Sequence, residues 1–331
     1  VIKKHACQSF QEIEEVLHTT TGALYGSLLL PAKPATAWVL IVAGSGATDR
    51  NGNTAGQAMA NNCLRYLALG LAAQGIASLR YDKRGVAASS AAGANEAALN
   101  FDHYIDDAKA WFAALRLRST GPVSIIGHSE GAQIATRVAE KLSVASVVNL
   151  CGAGRPLDEI LLAQLRDKLS DTLYKKAENI LACLHELSLH TKDNRKAKPK
   201  LLRRFSADAL TAPEVPPELH HLLKKSKHAF YVSRMRERPD RELGTLRCPV
   251  LIASGDADIQ VHEVDYERLC KAKPDASTVR IEGMNHLLKS VGGDAELQNK
   301  SYVDASMPVN QQLVDQIAAF LVAQKPIKKR G

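Results

Sequence analysis

A serine flanked by glycines, Gly127-His128-Ser129-Glu130-Gly131, is the residue set with the most specific chemical meaning in the chain. It follows an apolar run at 123–126 and precedes a helical pattern at 131–142, the context in which G-x-S-x-G marks a nucleophile on a strand-to-helix turn. So sharp a turn needs both glycines, because side chains two residues either side of the serine would collide with neighbouring backbone. A serine hydroxyl is a poor nucleophile at neutral pH. It needs a base to accept its proton and an acid to fix the tautomer of that base. The C-terminal third offers both, acid before base and each just after a predicted strand: Gly255-Asp256-Ala257-Asp258 after 249–253, and His286 after 279–281. Such a set attacks a carbonyl carbon and passes through an acyl intermediate that water resolves. The oxyanion formed on attack needs preorganised donors, each worth about 2.7–4 kcal/mol, and the Glu130 N–H is the first of them.

The elements that must position these groups follow from periodicity. Strand-like runs at 24–30, 38–43, 76–81, 123–126, 144–150, 249–253 and 277–281 alternate with helical patterns at 57–74, 104–117, 131–142 and 311–323. That alternation predicts an α/β fold, a mostly parallel, doubly wound sheet covered by helices. Between 157 and 246 the rhythm changes. Leu161, Leu165, Leu169 and Leu173 recur every four residues, Ile180, Leu184 and Leu187 continue the stripe, and no strand pattern appears. We therefore expect an N-terminal segment at 1–23, a core built from 24–156 and 247–331, and a helical cap at 157–246 inserted in the core.

With 331 residues and 45% hydrophobic content, the chain can bury one large core. No apolar run approaches the roughly 20 residues that span a bilayer, so no stable membrane insertion is expected and the protein reads as soluble. The chain begins at Val1 and not at Met, which suggests a leader removed and leaves the compartment, cytoplasmic or exported, open. Six scattered cysteines without a C-x-x-C read as free thiols. The net charge of +8 is concentrated at 192–204, 224–238 and 325–330. Such runs suit anionic partners, yet the plainer reading is a solvated basic face. Aromatic residues do not interleave with these runs, apart from Phe230 and Tyr231, so a nucleic-acid platform is not expected.

Several other residues invite roles that simpler readings absorb. His128 and Glu130 flank the serine, but their side chains read as packing around the turn, with only the Glu130 amide given a task. Asp49, Arg50, Asp82 and Arg84 read as an ion-pair network bracing two loops. His262 lies too near Asp258 in sequence to be its partner. His185 and His190 stand five apart and so leave the shared helix face that a zinc pair needs; no metal is expected. Gly44-x-Gly46 lacks the third glycine of a dinucleotide loop, and no cofactor is expected.

Taken together, 127–131, Ala43-Gly44-Ser45-Gly46 and Asp49-Arg50-Asn51-Gly52-Asn53 resemble bacterial esterases of the α/β-hydrolase superfamily. So do Arg80-Tyr81-Asp82-Lys83-Arg84-Gly85, Gly152-Ala153-Gly154-Arg155-Pro156-Leu157, Gly255-x-x-Asp258-x-Gln260-Val261 and Asn285-His286-Leu287. The resemblance covers about 24–157 and 246–324 and leaves the cap and both termini outside. It implies the α/β-hydrolase fold and a Ser129-His286-Asp258 triad, since the acid in that family stands three residues after the glycine, which favours Asp258 over Asp256. It also implies Ser45 as the second oxyanion donor beside Glu130, with Ala43 where many relatives carry His. The expected reaction is hydrolysis of a small carboxylic ester of short to medium acyl length, with the cap, through Leu161, Leu165, Phe230 and Tyr231, lining a pocket or packing its own core. An amide, thioester or lipid substrate would use the same triad. A non-catalytic binding protein on the same scaffold would be expected to lack a triad member, and none is missing. An anion-binding surface protein using the basic cap is the remaining non-enzymatic reading; its binding would weaken steeply with salt and would not depend on Ser129.

Overall fold

The computed structural model describes residues 10–54, 60–166, 168–189 and 228–324. Their centre is one eight-stranded sheet in the order β1-β2-β4-β3-β5-β6-β7-β8, formed by Gln11–Thr19 (β1), Gly22–Leu30 (β2), Ala37–Val42 (β3), Ile76–Tyr81 (β4), Val123–His128 (β5), Val147–Leu150 (β6), Val250–Gly255 (β7) and Ser277–Ile281 (β8). From β4 to β8 every pairing is parallel, whereas β2 runs antiparallel to both β1 and β4. The central strands β3 to β7 are buried at every residue. That is why they read as largely apolar runs, with Ser78, Arg80, Ser124, His128, Asn149 and Ser254 as buried exceptions: a parallel sheet covered on both faces has no solvent side to alternate toward.

Helices cover both faces. Cys63–Ala73 (α1) and Gln311–Val322 (α10) pack one side through Leu67, Leu71, Leu313 and Ile317. Phe101–Arg118 (α2) and Glu130–Lys141 (α3) pack the other through Trp111, Phe112, Ile134 and Val138. This is the doubly wound arrangement of the α/β-hydrolase fold.

The structure departs from the sequence reading at the N-terminus. Residues 11–19, expected to lie in an N-terminal segment outside the core, form the edge strand of the sheet, and β4 lies between β2 and β3. Only Ile13 and Leu17 of β1 reach the core, and Glu12, Glu14 and Glu15 break its apolar pattern. Charge on an edge strand is a common guard against pairing with another chain. The predicted helix at 57–74 begins at Cys63; its first residues, 57–59, lie outside the described part.

Within 157–246, the described helices are Leu157–Leu165 (α4), Asp171–Leu189 (α5), His228–Arg234 (α6) and Pro239–Gly244 (α7). The leucine stripe is thus split between α4 and α5. Leu165, Ile180, Leu181, Leu184, Leu187 and Met235 form a small apolar cluster of their own, distinct from the two clusters that flank the sheet. Leu161 and Tyr231 pack against that cluster, and Phe230 packs edge-on against Phe101 and Tyr104 of α2. Basic residues 192–204 and 325–330, part of the run at 224–238, Cys7 and His190 lie outside the described residues. His185 meets Asp158 at 2.9 Å. Glu263–Ala272 (α8) and Ala295–Val303 (α9) complete the fold. No helix among the described residues is long and apolar enough to cross a membrane.

Candidate active site

At the end of β5 the chain passes from His128 into α3 through Ser129, whose φ of 55° and ψ of −120° lie outside the ordinary regions for a residue with a side chain. Such backbone strain costs of order 1–3 kcal/mol and persists only where surrounding structure enforces it. Here the enforcement is close contact. A Cβ on Gly127 would be driven into the Gly131 carbonyl, and one on Gly131 into the Val42 carbonyl of β3. The Ser129 amide is tied to Leu150 O of β6 at 2.9 Å. Glu130 is the first residue of α3, so its N–H is among those a helix start leaves without an intrahelical acceptor.

The candidate acid and base come from the two loops after β7 and β8. His286 Nδ1 donates to Asp258 Oδ2 at 2.7 Å, with both side chains almost fully buried. Asp258 Oδ1 accepts the Gln260 and Val261 amides at 2.8 and 3.0 Å. Burial pushes the Asp258 carboxyl upward, but His286 and the two amides outweigh it and hold the group below the usual carboxylate range. Asp256, the alternative acid, points elsewhere: it accepts the Gly283 amide at 2.6 Å and braces the turn after β8. Asn285, fully buried, pins the histidine loop by accepting the Leu287 and Lys289 amides and donating to Ser301 Oγ at 2.7 Å. Among the described residues no hydrogen bond joins Ser129 to His286. Such contacts are often long in unliganded sites and tighten when substrate binds.

His128 supplies the link between the two halves. Its Nε2 bonds the His286 carbonyl at 2.8 Å and its ring centroid lies 5.0 Å from that of His286. Burial, and then the neighbouring His286, drive its pKa down to about 4, so it is a neutral donor at physiological pH. This contact is invisible in the sequence, because the partner is 158 positions away.

The loop after β3 closes the site from the other side. A Cβ on Gly44 would stand 3.2 Å from Ser129 Cβ, so a side chain there would crowd the serine. Lys83, buried, donates from Nζ to the Gly44 carbonyl. In a trans peptide the C=O of Gly44 and the N–H of Ser45 point in opposite directions, so fixing one aims the other. Lys83 therefore fixes the orientation of the Gly44–Ser45 peptide. Thr48 Oγ1 holds the next carbonyl, Ser45 O, at 2.6 Å. The expected Asp49, Arg50, Asp82 and Arg84 network is not one unit: Asp49 accepts the Asn51 and Asn53 amides at 2.8 and 2.9 Å within its own loop. Arg50 meets Asp82 at 2.8 Å, whereas Arg84 turns to Asp107 of α2, a partner the sequence did not suggest.

Cys151, after β6, offers its sulfur within 4.8 Å of ligand atoms of Asp258 and His286. Burial drives its thiol well above the ordinary range, so it is protonated there, and the imidazole and carboxylate already bond each other. A neutral thiol beside a closed pair is a poor cation cage, since metals take the thiolate.

A family model described as serine aminopeptidase, S33 matches residues 55–290. The chain is 29% identical over 325 residues to Esterase EstD of Thermotoga maritima, covering 95% of this chain and 68% of that protein. Among solved structures it is similar to Est1E from Butyrivibrio proteoclasticus, with a TM-score of 0.54, 15% identity and coverage of 94% and 99% of the two chains. It is also similar to a thermophilic esterase from Thermogutta terrifontis, with a TM-score of 0.51, 16% identity and coverage of 94% and 98%. At these identities the structural matches speak for the fold.

Proposed function

The chain belongs to the serine aminopeptidase, S33 family, a serine hydrolase acting on ester bonds, and from that premise we propose that it cleaves small carboxylic esters through Ser129, His286 and Asp258. The observation that carries this reading is the His286–Asp258 hydrogen bond of 2.7 Å, held beside the strained turn that presents Ser129.

In the proposed reaction, Ser129 Oγ attacks the ester carbonyl while His286 Nε2 takes its proton. Asp258 keeps the Nδ1 hydrogen in place and stabilises the imidazolium that forms. The Glu130 and Ser45 amides receive the oxyanion, the second in the orientation that Lys83 favours by gripping the Gly44 carbonyl. The imidazolium then protonates the departing alcohol. Water, deprotonated by the same imidazole, hydrolyses the acyl-enzyme.

The test is hydrolysis of p-nitrophenyl acetate, butyrate and octanoate by the wild-type protein beside Ser129→Ala. Turnover abolished in the variant supports Ser129 as nucleophile, and the chain-length profile sizes the acyl pocket. Equal turnover by the two proteins would sink the proposal. The family's description favours a second reading, peptide hydrolysis, for which amino-acid p-nitroanilides are the probe.

A further inference from the structure

The cap brings an arginine to the start of α3. Arg234, at the end of α6, is nine-tenths buried, and its Nε and Nη1 have no hydrogen-bond partner among the described residues. Its nearest anion is Glu130 Oε2, 3.9 Å from Nε, an ion-pair distance but too long for a hydrogen bond. The guanidinium lies over the Phe101 ring with its carbon 4.7 Å from the centroid, which fixes its plane. Buried donors without acceptors are rare and costly, and each calls for an explanation.

Nearby carboxylates do not provide one. Glu237 and Glu242 are engaged by Arg137 and by Gln133. Glu130 is shared with Lys83, whose Nζ stands 3.6 Å from Oε1. Two cations thus converge on one carboxylate directly after Ser129, and the same Lys83 grips Gly44, which abuts the Ser129 side chain. Two buried N–H donors of Arg234, Nε and Nη1, thus stand without acceptors among the described residues, next to the side chain of the residue that follows Ser129, each able to make a charge-assisted hydrogen bond to an anionic group.

We propose that Arg234 forms an anion subsite beside Ser129 that selects esters carrying a carboxylate on the acyl chain, that is, half-esters of dicarboxylic acids. The acyl side follows from the chemistry: the alcohol must leave next to His286 to receive its proton, whereas the described contacts of Arg234 run to Glu130 and Phe101. The subsite rests on the ester-hydrolase reading of Ser129 and goes beyond it by naming the substrate class.

The test compares kcat/KM for monoethyl glutarate with that for neutral ethyl valerate, in wild type and in Arg234→Gln. The wild type should favour the half-ester, and the variant should lose that ratio by about tenfold or more, the lower end for hydrogen bonds between charged groups. A wild type indifferent to the carboxylate, or a variant that keeps the ratio, overturns the subsite. A preference for butyryl glycolate, with its carboxylate on the alcohol, overturns the acyl placement. Because removing a buried guanidinium can cost the fold, a second arm uses the wild type alone. Glutarate should compete with p-nitrophenyl butyrate far better than glutaramide does, and equal inhibition refutes the proposal. Loss of p-nitrophenyl butyrate turnover in Ser129→Ala is measured in parallel. If that loss is seen and the carboxylate preference is not, the subsite alone has failed; if turnover survives in Ser129→Ala, the reading beneath it has failed.

Discussion

Replacing Asp258 by asparagine changes one atom, and the surroundings dictate how the new amide must sit. One oxygen of Asp258 faces two donors, the Gln260 and Val261 amides at 2.8 and 3.0 Å, and the other faces His286 Nδ1 at 2.7 Å. An asparagine NH2 cannot face two N–H groups, so its oxygen must take that side and its NH2 must turn to His286. There it donates to Nδ1, which then has to be the unprotonated nitrogen. The hydrogen is forced onto Nε2, the atom that should accept the Ser129 proton. Geometry is preserved while the tautomer is inverted, and in a triad of this kind that costs about 10⁴ in kcat, or about 5 kcal/mol of barrier. Steady-state turnover of p-nitrophenyl butyrate at pH 7 measures it, with a single cooperative denaturation transition confirming that the fold survives. Activity of Asp258→Asn within about tenfold of wild type would refute the tautomer argument.

Other outcomes are as specific. Lys83→Met should lower kcat by about 10²–10³ with KM little changed, because an unanchored Gly44 peptide no longer aims the Ser45 amide at the oxyanion; a rise in KM alone would show that Lys83 acts elsewhere. Gly131→Ala, whose methyl would be driven into the Val42 carbonyl, should destabilise by more than about 4 kcal/mol in chemical denaturation, and a fully stable variant would contradict the packing of α3 on β3. Burial, and then Glu242, push the Glu237 carboxyl from its ordinary 4.5 up to about 7 against the pull of Arg137 and Gln133, a rise equivalent to about 3 kcal/mol. A raised folded pKa gives stability that is complete below the unfolded value and fades as pH climbs through 7, so Glu237→Gln should flatten the stability profile between pH 5 and 8; an unchanged slope counts against it. Asp258 has the opposite sign. Its depressed pKa gives stability present above about pH 4 and lost as pH falls below that, so the stability gap between wild type and Asp258→Asn should narrow on acidification.

What the sequence settled by itself is local. Gly127 and Gly131 around Ser129 read as a strand-to-helix turn because the steric demand falls within five consecutive residues, and the buried strands β3 to β7 read as apolar runs because both faces of a parallel sheet are covered. The order of acid and base, each just beyond a strand, was visible for the same reason. Tertiary structure decided whatever depends on partners distant along the chain. Asp256 and Asp258 stand two residues apart in one loop, and only the fold of the histidine loop turns Asp258 toward His286 and Asp256 toward Gly283. His128 looked like packing until its ring met the carbonyl of His286, and Lys83 was one residue of a motif until its ammonium reached Gly44. β1 carried too little apolar alternation to announce itself, since a charged edge strand has only one neighbour and buries few side chains. Arg234 belonged to a basic run that read as a solvated face. Charge in a sequence gives no sign of burial, which is set by what packs around it, here Phe101 and the carboxylate of Glu130.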